Sequence, residues 1–174
     1  MDFIYNIARN WGIVPKLKRH PFIYKLARHI VPDARDILLE FLPKNAVCAE
    51  IGVWKGDFSA RIVKTTKPNK LHLIDPWTFQ PKFPRRLYGG AAVDGQRGMD
   101  GIYNSVIDKF SSEPCITVHK MPSGEMRDIF PDAHFDWIYI DGDHGLQGVL
   151  DDLETCWMLV RPGGYIAGDD YYWK

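Results

Sequence analysis

Residues 46–76 read AVCAEIGVWKGDFSARIVKTTKPNKLHLIDP, and this stretch decides the fold class. An apolar run at 46–51 breaks at a turn containing Gly52 and Gly56. Helical spacing follows over 57–64, and a second apolar run at 70–74 ends at Asp75-Pro76. Apolar runs this short, bounded by glycine or proline, read as buried strands. Strand, helix and strand in about 30 residues make a unit whose two strands run parallel, because the helix carries the chain back along the sheet.

The pattern continues to the C-terminal end. A loop rich in Pro, Gly and Arg is expected over 76–98, then a helix at 99–110, a short strand at 115–118 and a short helix at 123–129. Next come an apolar strand at 135–140 and a helix at 146–159 with Val149, Leu153 and Trp157 as its apolar stripe. Arg161-Pro162-Gly163-Gly164 reads as a sharp stop before a strand at 165–167. Strands alternating with helices over this length predict an α/β architecture, a doubly wound parallel sheet covered on both faces. Ligands of such sheets bind beyond the carboxyl ends of the strands.

The first 45 residues differ in texture. Helices are expected at 2–10, 22–31 and 33–41, punctuated by Pro15, Pro21, Pro32 and Pro43. Asp33 is placed to cap the third helix, and Ile37, Leu38, Phe41 and Leu42 form its apolar stripe. Residues 1–31 carry six Lys/Arg against Asp2 alone, so 1–45 is read as a basic helical extension and 46–174 as the ligand-binding domain.

Composition narrows the function classes. The 174 residues are 45% hydrophobic and 25% charged with zero formal net charge, which fits a folded domain and argues against a dedicated nucleic-acid binder. No apolar run reaches the ~18 residues of a membrane span. Three cysteines, Cys48, Cys115 and Cys156, without C-x-x-C spacing fit neither a disulfide framework nor a cysteine-only zinc site. With no signal peptide recognisable, a cytoplasmic protein is expected, and self-association is left open.

Four groups of residues carry chemistry. Gly52 and Gly56 allow a tight turn with close backbone approach to a nucleoside cofactor, or serve the turn alone. Asp75 ends the second strand 25 residues after Glu50, where a carboxylate accepts hydrogen bonds from ribose hydroxyls or closes an Asx turn before Pro76. Phe135–Ile140 delivers Asp141, Asp143 and His144 into one loop, and the following strand delivers Asp169 and Asp170. If those strands are neighbours, Asp141, Asp169 and Asp170 converge, and an all-oxygen set suits a hard cation such as Mg²⁺. Asp143 also suits a cap for the helix that follows, whereas Asp151, Asp152 and Glu154 read as a solvated helix face.

The motifs Ala49-Glu50-Ile51-Gly52-x-x-x-Gly56, Leu73-Ile74-Asp75-Pro76-Trp77, Ile140-Asp141-Gly142-Asp143-His144 and Gly168-Asp169-Asp170-Tyr171 resemble a class I S-adenosylmethionine-dependent methyltransferase. More narrowly, they are similar to the metal-dependent sugar O-methyltransferases related to macrocin O-methyltransferase. The resemblance spans 46–171 without the loop 78–98. It implies a Rossmann-like sheet of order 3-2-1-4-5 in which Glu50, Gly52 and Gly56 shape the pocket for the methionine part of the cofactor. It further implies that Asp75 holds the ribose, Trp77 flanks the entrance, Ser123 contacts the adenine, and Asp141, Asp169 and Asp170 bind Mg²⁺. Trp54 stands where many relatives carry a second glycine. The terminal strands 6 and 7 of that family have no counterpart before Lys174, so a C-terminally truncated domain is expected.

The implied chemistry is physically coherent. Methyl transfer needs orientation and an oxygen freed of its proton, and a divalent cation lowers the pKa of a bound hydroxyl. His144, whose unperturbed pKa lies nearest neutrality, or Asp143 would be the general base. The expected acceptor is a small hydroxylated molecule, a sugar or glycosylated metabolite. Two rival readings are an inactive cofactor-binding module or partner subunit, and a nicotinamide-dependent enzyme, which the glycine spacing disfavours. The loop 76–98, with Lys82, Arg85, Arg86, Tyr88 and Arg97, reads as an acceptor-side lid or a solvated loop.

Overall fold

In the computed structural model, residues 33–82, 87–91 and 93–169 are described. The expected helices at 2–10 and 22–31, with Arg85, Arg86 and Asp170, lie outside them. The chain divides into two units between Phe41 and Leu42. The described part of the first contains α1 (Ala34–Phe41). Asp33 starts it as expected, its Oδ1 accepting from the Arg35 N–H at 3.1 Å. The expected apolar stripe is corrected. Leu39 is fully buried whereas Phe41 is 76% exposed, so the inward face is rotated from the one the spacing suggested.

The second unit runs β1 (Val47–Ile51), α2 (Asp57–Thr66), β2 (Lys70–Asp75), an irregular turn at Leu87–Ala91, α3 (Gly95–Lys109), β3 (Ile116–Lys120), a 3₁₀ turn at Ser123–Glu125, α4 (Met126–Ile129), β4 (Phe135–Ile140), α5 (Leu146–Leu159) and β5 (Val160–Gly168). The sheet order is β3-β2-β1-β4-β5, and every pairing is parallel. This is the doubly wound α/β sheet that the alternation predicts. The chain starts in the middle, winds outward through β2 and β3, then crosses to β4, so the order reverses between β1 and β4.

Burial explains the composition of the central strands. Four consecutive residues of β1, Cys48–Ile51, are buried, as are all but the first of β2. Both faces are covered. On one, Ala49, Ile51, Ile74 and Ile138 pack with Met126, Phe130, Cys156 and Leu159 from α4 and α5. On the other, Phe58 of α2 lies 4.5 Å from Tyr139 between ring centroids. A strand without a solvent face cannot alternate, hence the continuous apolar runs.

Two readings of the last elements are corrected. Arg161-Pro162-Gly163-Gly164 does not precede the strand but lies within β5. The pairing slips from Phe135↔Val160 to Trp137↔Tyr165 around a bulge, which takes up the extra residues. In α5 the buried residues are Asp152, Thr155, Cys156 and Leu159, whereas Val149, Leu153 and Trp157 are exposed. The helix is apolar on two adjoining faces, and periodicity alone could not say which one faces the sheet. Among the described residues no helix is long and apolar enough to cross a membrane.

Candidate functional site

The strand tips stand in a row at the carboxyl edge. The Gly52 N–H donates to the Ile74 carbonyl at 2.9 Å, the Asp141 N–H to the Ile51 carbonyl at 2.7 Å, and the Asp169 N–H to the Ile140 carbonyl at 3.0 Å. Asp75, Gly52, Asp141 and Asp169 therefore follow one another across β2, β1, β4 and β5, one strand spacing of about 4.8 Å per step. At the centre, where the strand order reverses, β1 and β4 press together. Gly52 has φ +86°, and a Cβ there would lie 2.0 Å from the Asp141 carbonyl oxygen. No other residue can occupy that position without separating the two tips.

Asp75 holds the glycine turn in place. Its Oδ2 accepts from the backbone N–H groups of Val53 and Trp54, both at 2.9 Å. Its Oδ1 accepts from the Trp77 N–H at 2.7 Å and from the Tyr88 hydroxyl at 2.5 Å. A carboxylate offers about four lone-pair sites, so four donors saturate it. Burial pushes its carboxyl above the usual range, opposed by the bonds from Tyr88, Trp54, Trp77 and Val53. The Asx turn and the ligand-facing position considered from sequence thus coincide in one side chain, three of whose donors belong to the backbone.

Trp77, expected at an entrance, is instead fully buried. Its indole N–H donates to the Trp54 carbonyl at 2.9 Å, and its ring lies 5.1 Å from Tyr103. It braces the turn from beneath. Trp54 has φ +51°, and its indole N–H is buried without an acceptor among the described residues, a donor left open beside the turn. Glu50 is 1% exposed and accepts from the Ser59 hydroxyl of α2 at 2.5 Å. Gly56 adopts φ +69° at the start of α2, where a Cβ would meet the Phe110 ring at 2.8 Å.

Beyond β4, Asp143 accepts from the Gly145 N–H at 3.1 Å and closes the loop that starts α5. His144 is exposed beside it. Asp141 and Asp169 are half-buried on adjoining tips. Among the described residues no three His, Cys, Asp or Glu side chains form a group that could hold a metal ion, and Asp170 lies outside that set. Two carboxylates on neighbouring tips remain, a donor set that fits a cation completing its shell with water and substrate oxygens.

Two polar residues of the site were not legible as such. Asp152, read as a solvated helix residue, is 4% exposed, and the Ser123 hydroxyl donates to it. Its position four residues before Cys156 and seven before Leu159 was the available signal. Tyr88, read as one member of a basic loop, reaches Asp75. Its segment is anchored by the Gln80 N–H donating to the Gly89 carbonyl at 2.8 Å, and Gln96 ties the loop through bonds to Phe79 and Trp77, both at 2.9 Å. Of the loop's described basic side chains, Arg97 pairs with Asp94 at 2.7 Å in the open, and Lys82 is exposed.

Solved structures share this fold at low identity. A precorrin-6y C5,15-methyltransferase from Geobacter metallireducens superposes with TM-score 0.52 and 16% identity, covering 76% of this chain and 58% of that one. A precorrin 8w decarboxylase from the Methanobacterium thermoautotrophicum genome gives 0.51 and 17%, covering 78% and 62%. A Haemonchus contortus phosphoethanolamine N-methyltransferase 1 in complex with phosphoethanolamine and S-adenosylhomocysteine gives 0.54 and 13%, covering 75% and 23%. The chain thus spans less than two thirds of each of these structures. No curated protein matches the sequence. A methyltransferase-domain family profile matches residues 49–171, from the β1 strand past the β5 tip, and the chain belongs to that family.

Proposed function

We propose that the chain is an S-adenosylmethionine-dependent O-methyltransferase, assisted by Mg²⁺ or a similar cation, acting on a hydroxyl of a small molecule of the sugar or glycosylated-metabolite class. The observation that carries this reading is the row of acidic strand tips: Asp75 on one side of the β1–β4 crossing, Asp141 and Asp169 on the other. One side offers a ribose acceptor next to a glycine turn, the other an oxygen-donor pair, and methyl transfer to oxygen needs both within one pocket. The subtype similar to macrocin O-methyltransferase is part of this proposal, as is the role of 46–174 as the cofactor-binding domain.

The chain's own residues divide the work. Gly52 and Gly56 let the backbone approach the cofactor closely, and the open Trp54 indole N–H offers a donor beside them. Asp75 takes the ribose hydroxyls once the Tyr88 phenol leaves, since its other three donors are backbone groups that cannot leave without unfolding the turn. Asp141 and Asp169 would hold the cation, which when bound would acidify and orient the acceptor hydroxyl. His144 would take the acceptor proton, because Asp143 is engaged in closing the α5 loop. S-adenosylmethionine itself would supply the activated methyl group.

A thermal-unfolding series with S-adenosylhomocysteine, Mg²⁺ and chelator tests the reading. Ligand at 100 times its Kd stabilises by about 2.7 kcal/mol. Asp75→Ala should abolish that shift. Methyl transfer to hydroxylated acceptors should require the divalent cation. Absence of a shift with S-adenosylhomocysteine, or turnover undiminished by chelator, would refute the cofactor and cation assignments respectively.

A further inference from the structure

Ser123 follows β3 in a segment that crosses the neighbouring strand tip: the Met121 N–H, two residues earlier, donates to the Asp75 carbonyl at 3.1 Å. Its hydroxyl reaches the other way, to Asp152 Oδ1 on α5. Asp152 is 4% exposed, and its second oxygen lies 2.9 Å from where a Cβ on Gly142 would sit, so the pair lies below the β1–β4 tips and next to the Asp75 end of the site. The charges that reach Asp152 are those of Asp143 and Asp151, both of its own sign. Nothing in that environment neutralises the carboxylate, so the Ser123 proton is drawn to it.

A serine hydroxyl has one proton and two lone pairs. When a buried carboxylate holds the proton, the half-buried oxygen can only accept from a ligand. We propose that the Ser123–Asp152 pair makes this site select a purine carrying a 6-amino group, a donor, over one carrying a 6-oxo group, an acceptor. An oxo group would set two acceptors face to face, and turning the Ser123 proton outward to relieve that would strip a buried carboxylate of its donor. Asp152 is thus a positioning residue that acts through Ser123. The inference rests on the S-adenosylmethionine reading and deepens it: the cofactor's base would be identified by the polarity of one hydroxyl.

Calorimetric titration of the full chain with S-adenosylhomocysteine and with S-inosylhomocysteine tests this. The wild type should prefer the adenosyl compound by roughly tenfold or more, the effect of one mismatched buried polar contact. Asp152→Asn presents a carboxamide that can donate to the serine oxygen and release its proton, so the preference should shrink to within about threefold or reverse. Ser123→Ala should bind both compounds with similar affinity. Equal binding of both by the wild type overturns the proposal. Full wild-type preference in both variants also overturns it while leaving the cofactor reading intact. Binding of neither compound removes that reading and the inference with it.

Discussion

Tyr88→Phe removes a single oxygen, and the structure fixes the sign of two consequences. The Tyr88 hydroxyl donates to Asp75 Oδ1 at 2.5 Å, and Asp75 is 1% exposed, so water cannot take the phenol's place. A hydrogen bond to a charged acceptor contributes about 1.5–3 kcal/mol. Its loss should lower the stability of the free protein by that amount, roughly 3–12 °C in Tm for a chain of this size. The same loss should strengthen cofactor binding. In the wild type the ribose must displace the phenol, whereas the variant offers Asp75 with one acceptor site already open. Affinity for S-adenosylhomocysteine should rise by at least about threefold, with a ceiling near 100-fold if the whole bond energy is recovered. Differential scanning calorimetry of the free protein and isothermal titration with S-adenosylhomocysteine read the two effects separately. A merely structural Tyr88 would lower both stability and affinity. Weaker or unchanged binding in Tyr88→Phe would refute the exchange at Asp75.

Two further predictions concern the frame around the site. Gly52→Ala should cost more than about 3 kcal/mol in urea unfolding, combining a left-handed backbone penalty of about 1–2 kcal/mol with forced separation of the β1 and β4 tips. Gly124→Ala, where a Cβ meets nothing within 4 Å, should stay within about 0.5 kcal/mol, and equal losses in the two variants would contradict the packing argument. His72 lies 8% exposed, with Nδ1 2.9 Å from His119 Nε2. Burial, then His119, His134 and Lys70, lower its pKa to about 4. The folded state therefore binds fewer protons than the unfolded chain between about pH 6.5 and 4, so stability should fall as pH drops through that window, by up to roughly 3 kcal/mol. Unfolding free energies of wild type and His72→Phe measured from pH 7 to 4 should diverge in slope, and parallel slopes would exclude His72 as the source.

The fold was readable because its central strands are buried on both faces. Cys48–Ile51 and Leu71–Asp75 are continuous runs bounded by turn residues, and a sheet covered on both sides produces that pattern. Where one of two solutions had to be chosen by packing, sequence reasoning erred. Arg161-Pro162-Gly163-Gly164 has the composition of a stop, yet the pairing to β4 carries it as a bulge, since a parallel partner on one side leaves room for extra residues on the other. The apolar stripe Val149-Leu153-Trp157 satisfies helical periodicity as well as the buried residues do, and only the position of the sheet distinguishes them. The start of α3 at Gly95, earlier than expected, was hidden because Gly95 and Gly98 weaken the helical signal over its first turn.

The site divides along the same physical line. A residue at the end of a parallel strand has its location fixed by chain direction, so Gly52, Asp75, Asp141 and Asp169 could be assigned to the ligand edge before any packing was known. Their partners could not. Whether Asp75 is open or saturated depends on Tyr88, which arrives from a loop 13 residues later whose path no local pattern dictates. Whether Asp152 is solvated or buried depends on which face of α5 meets the sheet, and its charge argued for the wrong answer. Strand-tip chemistry is thus encoded in order along the chain, whereas the polarity of the donors and acceptors facing a ligand is encoded in tertiary contact. A site of this class can be located from sequence, but the base it selects and the group it must displace follow from the second shell of contacts, here Tyr88 on Asp75 and Asp152 on Ser123.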